Sequence, residues 1–303
     1  MAAAAAAGAA GAAGKWAARR IRASLTSCWK PKTPRVQRQR RSISSSGIKA
    51  LPINFRIALD GKDLPAGSGI PSSTSNKLPL VVVHGLLGSG PNMRQFTLNP
   101  SISGDRPVVR VDLRNHGLSP HSDVMSTEAM AHDLIQLLDD LNLEEALFLD
   151  DHADPGTSLR GITDSMAALD LSLINTRKDA MERLAVRIPN PAICGFVLMN
   201  LEKSKDGGWQ WKCNLEVLRR SLNKWDNFAT MIDHGSSYSG PTLFVKGGRS
   251  AYIQPENAQH MDAIQTLFPG YEIETIKDAG HWIHAEKPKE FVQVAESFLN
   301  KID

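Results

Sequence analysis

Three stretches of this 303-residue chain combine residue types that could do chemistry. The first is His84-Gly-Leu-Leu-Gly-Ser-Gly90, after an apolar run. A glycine-rich turn there can aim backbone N–H groups into a cleft, where they hold a developing oxyanion at about 3–4 kcal/mol per donor. A plain tight turn is the alternative. A phosphate loop fits less well, because neither GxxxxGK(S/T) nor GxGxxG follows. The second stretch is Asp112-Leu-Arg-Asn-His-Gly-Leu-Ser-Pro120. Open α/β sheets bind ligands at such strand ends, but Asp112, Asn115 and His116 are each read as bracing their loop. The third is Ala279-Gly-His-Trp-Ile-His-Ala-Glu-Lys-Pro288. His281, beside a glycine in a loop after the last strand, has the position of a general base that reaches an active-site mouth. His284 is read as a helix-start or packing residue.

A hydrolytic reading of these loops needs a nucleophile. Gly-x-Ser-x-Gly occurs nowhere in the chain; Gly117-Leu-Ser-Pro-His121 and Gly248-Arg-Ser-Ala-Tyr252, for example, match only its first half. That motif needs its glycines because the serine sits at a strained strand-to-helix bend with a helix packed closely behind. Ser119 belongs to the second stretch, and Asp150-Asp151-His152 offers neither glycines nor a hydroxyl.

The elements that must position these loops are legible. Ile53–Leu59 has strand character, and residues 60–76 read as a hairpin or loop. Leu80–Val83 and Val108–Leu113 read as strands covered on both faces, and Ala146–Leu149 as another. Between the last two, Met130, Leu134, Leu137, Leu138 and Leu141 recur at helical spacing behind a cap at Ser126 or Thr127. Strands alternating with a helix predict an α/β fold with a doubly wound, mostly parallel sheet. Helical periods dominate residues 160–235, for example Thr176–Leu184, and predict an inserted helical cap, with a turn and short extended piece at Gly207–Trp211. Pro241–Val245 and Tyr271–Ile276 resume the strands, and Phe291, Ala295, Phe298 and Ile302 share a face of a last helix. The predicted division is a transit segment over 1–50, disordered, a core over 51–159, the cap over 160–235 and the rest of the core over 236–303.

Charge separates the ends of the chain. Residues 1–59 hold 12 Lys or Arg and no acid; the remainder holds 23 basic against 32 acidic residues, a net of −9. An acidic body carries no nucleic-acid footprint. The basic, Ala- and Ser-rich leader, with Arg19, Arg20 and Arg22 beside Trp16, Ile21 and Leu25 in a weakly amphipathic helix, predicts delivery to mitochondria, with a plastid as second choice. No segment is long and apolar enough to span a membrane. Cys28, Cys194 and Cys213 show neither disulfide-scaffold nor metal spacing. No metal or other cofactor is expected, and oligomeric state leaves no signal in the sequence.

In this order HGLLGS, VDLRNHGLS, PTLFVKGG and AGHWIHAEKP resemble the α/β-hydrolase family over about residues 52–302, most closely YbfF-type esterases and their mitochondrial abhydrolase-domain relatives. The resemblance implies a serine hydrolase of carboxylic esters or thioesters. It makes Leu86 N–H an oxyanion donor, with His84 and Gly85 beside it at the substrate, and His281 the triad base. Where many hydrolases place an acid, Gly247–Tyr252 offers Ser250; the resemblance to YbfF-type members implies an Asp two strands' length after the nucleophile instead. The family's LGHSMGG-like elbow is missing after the strand at 146–149. Leu149-Asp150 and Asp154-Pro155-Gly156 look like a junction one strand further on, so elbow, helix and strand are expected to be lost as one block of about 25 residues. Asp150 or Asp151 would then correspond to the acid, with plain strand-end carboxylates as the alternative reading, and His152 lies near the lost serine's position. Losing a triad member costs on the order of 10⁴–10⁶ in rate. The expected outcome is a hydrolase-family chain impaired in catalysis; the alternatives are a non-catalytic acyl-ligand or protein-binding module in an organelle, and a non-functional truncated isoform.

Overall fold

The computed structural model describes the backbone of residues 16–22 and residues 48–71, 77–150, 159–222, 237–250, 253 and 255–303. Its strands are β1 (Trp16–Arg22), β2 (Phe55–Leu59), β3 (Lys62–Asp63), β4 (Leu80–Val83), β5 (Val108–Val111), β6 (Glu145–Asp150), β7 (Leu201–Lys203), β8 (Trp209–Trp211), β9 (Thr242–Gly247) and β10 (Tyr271–Ile276). Its helices include α1 (Arg94–Thr97), α2 (Pro100–Ser103), α3 (Thr127–Asp140), α4 (Leu159–Ala167), α5 (Arg177–Ala185), α6 (Pro191–Leu198), α7 (Leu215–Ser221), α8 (Ala258–Leu267), α9 (Ile283–Glu286) and α10 (Pro288–Ile302).

One eight-stranded sheet runs β10-β9-β1-β6-β4-β5-β2-β3, and β7 pairs with β8 in a separate hairpin. β4 is parallel to β5 and β6, and β9 to β10. Side-chain alternation splits β4 between two cores: Val81 and Val83 pack on one face, Leu80 and Val82 on the other. The first face is covered by Met130, Leu134, Leu137 and Leu138 of α3, the second by Phe291, Ala295, Phe298 and Leu299 of α10. Burying each such side chain stabilises by about 1.5–3 kcal/mol, so both helices are fixed by the sheet rather than by their own propensity. Local signals agree with this packing. Ser126 caps α3 by accepting from Ala129 N–H, and Thr176 forms a capping box with Asp179 at the start of α5. Asp60 and Gly61, both at positive φ, make the two-residue turn between β2 and β3.

The N-terminal residues depart from expectation. Residues 16–22 form strand β1 rather than a helix, antiparallel to β6 on one side and β9 on the other. This strand fills the place between β6 and β9, and among the described residues no strand lies between β6 and the cap in the chain. An empty slot would leave the facing N–H and C=O groups of β6 and β9 without partners, each at a cost of about 1–3 kcal/mol if buried. Any alternating seven-residue segment that reaches the slot can satisfy them. The expectation of a disordered 1–50 is therefore corrected at these residues; 1–15 and 23–47 lie outside the described residues.

The described cap, residues 159–222, consists of α4 to α7 and the β7–β8 hairpin. Asn200 Nδ2 donates to Leu87 O at 2.7 Å, and Asn214 N–H to Asn115 O at 2.9 Å, tying cap to core at the loops after β4 and β5. Among the described residues no helix is long and apolar enough to cross a membrane.

Candidate active site

β4 delivers His84–Gly90 to the end of the sheet, β5 delivers Asp112–Pro120, and β10 leads into the loop of His281. The first two loops are locked to each other. His84 Nε2 accepts from Leu113 N–H at 3.0 Å, and its Nδ1 lies 2.8 Å from Gly85 O, which fixes the proton on Nδ1. His116 Nε2 accepts from Leu87 N–H at 3.2 Å, and its Nδ1 lies 2.9 Å from Arg114 O. The rings meet edge to face at 5.0 Å. Both histidines are buried, and burial, with His84 beside it, pushes His116 down to about 3. His116 is thus a neutral brace, and the two rings together lock the loops to each other.

Leu87 shows what the bracing achieves. Its φ of 60° is left-handed, which costs a non-glycine residue about 1–3 kcal/mol. His116 holds its N–H and Asn200 its carbonyl, so loop and cap together maintain that conformation. Gly88 N–H is committed to Gly85 O at 3.0 Å, whereas Leu86 N–H has no partner among the described residues. Asp112 closes the assembly, accepting from Gly90 N–H at 2.7 Å, Asn54 Nδ2 at 2.8 Å and Leu118 N–H at 2.9 Å. Gly117 must be glycine: at φ 54° a Cβ would lie 2.3 Å from Asp112 Cγ. Ser119 is consumed here, donating to Asp112 O at 2.6 Å and accepting from Asn54 N–H at 2.7 Å.

The His281 loop is held differently. Gly280 N–H donates to Glu286 Oε2 at 2.8 Å, and Glu286 also pairs with Arg249 at 3.1 Å. A Cβ at Gly247 would stand 1.9 Å from Gly280 O, so the end of β9 needs its glycine for this loop to pass. Trp282 packs against Phe196 of α6 with ring centroids 5.3 Å apart. His284 lies in α9, and burial, opposed by the Glu286 charge, pushes it down to about 4.

A cleft of about 710 Å³ opens between these loops and the cap. His84, Gly85, Leu86 and His281 all line it, with apolar walls from Leu87, Phe96, Ile162, Ile193, Phe196 and Trp282. This size and character suit a small apolar ligand. Among its described lining residues there is no serine, threonine or cysteine. Cys194 and Cys213 do not substitute: both are buried, burial raises both thiols, and Cys213 reaches about 12. Asp150 ends β6 opposite Val83; its side chain, Asp151, His152 and the junction at 154–156 lie outside the described residues. Ser250, with its N–H on Gly247 O, is a turn residue. Sequence reasoning missed Asn200 and Trp282 as parts of the site, because their partners are remote in the chain; the flanking of His281 by Trp282 was the one local signal.

A sheet with helices on both faces, an inserted helical cap and a cleft over the strand ends beneath it define an α/β-hydrolase. No family model matches the chain. The sn-1-specific diacylglycerol lipase ABHD11 of Mus musculus is 30% identical over 288 residues, 84% of this chain and 87% of that protein. The esterase YbfF of Escherichia coli (strain K12) is 29% identical over 256 residues, 74% of this chain and 94% of its own length. Among solved structures, a marine microorganism esterase superposes with a TM-score of 0.67 at 26% identity, covering 82% of this chain and all of the esterase. The chain belongs to the α/β-hydrolase family, among relatives of the esterase and lipase type. The aligned lengths carry a further fact. The matched 84% of this chain is about 255 residues, so in a stretch of 288 about 33 positions of the mouse protein face no residue here. The same reckoning with YbfF gives about 32.

Proposed function

We propose that this chain is an esterase-type α/β-hydrolase that keeps the cleft, the oxyanion loop and the base but lacks the nucleophile elbow, so that it takes up an acyl ester or thioester without serine-type turnover. In this reading Leu86 N–H faces the acyl oxygen, His84 and Gly85 shape the loop that presents it, and His281 is the base. Asp150 or Asp151 stands for the acid. The observation that carries the proposal is a largely apolar cleft whose described lining includes both partner loops yet no hydroxyl or thiol. The positions of both relatives that have no counterpart here support it, being close in number to an elbow, a helix and a strand.

The test joins two measurements on the full chain. A fluorescent fatty-acyl ester should bind saturably, and a fluorophosphonate probe should leave every serine unlabelled. Labelling of any serine, or hydrolysis of the bound ester, overturns the proposal. The same unmatched positions favour a second reading, a shortened transcript product; finding GHSxGG-coding sequence at codons 149–156 in a longer transcript would establish it. The composition of the leader supports delivery to mitochondria, with a plastid as second choice, and organelle fractionation tests it.

A further inference from the structure

A second cavity, of about 420 Å³, shares a wall with the cleft: Pro91 and Arg94 line both. Its own walls bring together Arg56 of β2, Arg94 of α1 and Arg110 of β5. Arg56 and Arg110 stand directly opposite each other across the antiparallel β2–β5 pair, an arrangement of like charges that is destabilising unless compensated. Compensation inside the chain is incomplete. Arg110, 4% exposed, donates to Asp63 and, at 3.0 Å, to Thr97 Oγ1. Arg94 Nε donates to the other oxygen of the same Asp63 at 3.0 Å. The guanidinium of Arg56 has no partner among the described residues, and the remaining wall carboxylate, Asp112, is taken up by the amides of Asn54, Gly90 and Leu118. Asp63 therefore pairs with two of the three guanidinium groups, and among the described residues Arg56 has no carboxylate of its own.

We infer that this cavity is a phosphate subsite for the head of the acyl ligand, with Arg56 and Arg94 as the contacting side chains and Arg110 as its buried floor. The inference rests on the acyl-binding reading of the neighbouring cleft. A guanidinium presents a planar fork of N–H donors that matches two phosphate oxygens at once. Most donors of Arg94 and all those of Arg56 remain to be used. Arg94, at the common wall, lets a single molecule lay its chain in the cleft and its phosphate among the arginines. The ligand class is an acyl ester that carries a phosphate.

The experiment compares two probes with the same chain, 1-oleoylglycerol 3-phosphate and 1-oleoylglycerol, binding to the full-length protein below micelle-forming concentrations. The phosphate probe should bind about ten-fold tighter, the size of one added charge-assisted contact. The advantage should shrink as salt is raised. Arg56→Ala should abolish it while leaving 1-oleoylglycerol affinity unchanged, and Arg94→Ala should abolish it as well. Equal affinity for both probes overturns the subsite and leaves the acyl cleft standing. Failure of both probes to bind overturns the cleft reading and the subsite with it. Inorganic phosphate that binds as tightly as the phosphate probe overturns the link between chain and head, because the arginines would then read free phosphate.

Discussion

β4 and β6 lie side by side, with Val83 opposite Asp150, and end at the same edge of the sheet. The loop after β4 is held by His116, Asp112 and Asn200 around Leu87 and Gly90. The chain after β6 reads Asp151-His-Ala-Asp-Pro-Gly156, without the glycine pair or serine of an elbow. The contrast separates a loop braced by side chains remote in the chain from a strand end whose sequence carries no elbow motif. Among the described residues, the loop after β4 leans on His116, Asp112 and Asn200, from β5's loop and the cap.

The comparison can be broken most forcefully by restoring what β6 lacks. Inserting the elbow, helix and strand of a YbfF-type relative between Leu149 and Asp150, so that Asp150 and Asp151 stay in place, should raise p-nitrophenyl butyrate hydrolysis by on the order of 10⁴-fold or more. No gain would mean that the loop after β4 or His281 is not poised for chemistry. A smaller but still large effect is expected at the filled slot. Deleting residues 1–47 removes β1 and its ladders to both β6 and β9, so the product should aggregate or melt well below the full chain. An unchanged melting curve would show that the leader can be removed without loss, as a cleaved transit segment requires.

The loop after β4 is probed by acid. His116 is held near 3 in the fold, against about 6.5 when unfolded. Its pKa is depressed, so the unfolded chain binds the extra proton first. Its contribution is full above about 6.5 and is lost as pH falls towards 3. His116→Asn should be less stable at pH 7, by about 1–3 kcal/mol in urea unfolding, and should show a flatter decline over that acid window. An unaltered acid limb would place the sensitivity elsewhere, His284 being the next group. The smallest effect belongs to the helix that covers the same face: Ser126→Ala removes the cap of α3 and should cost about 1 kcal/mol with no change at the cleft.

Much of this architecture was readable because it is local. Leu80–Val83 as a strand, Ser126 as a cap and Thr176 as another follow from runs, periods and hydrogen-bonding side chains a few residues apart. The bracing role expected of Asp112, Asn115 and His116 also holds, since short polar side chains after a strand find loop amides first. What escaped depends on partners far along the chain. Arg114 and Asp133 form a fully buried ion pair, Asn200 reaches Leu87, and Arg56 faces Arg110, and none of these has a period or a motif.

The sequence by itself determined the family, the loops around the cleft and the absence of a Gly-x-Ser-x-Gly bend, because each is a property of residue type and spacing. The packed structure alone reveals that residues 16–22 close the sheet as an antiparallel strand and that three arginines gather beside the cleft. Both outcomes follow from which backbone and which charges the packed sheet brings within reach, and that proximity is written nowhere along the chain.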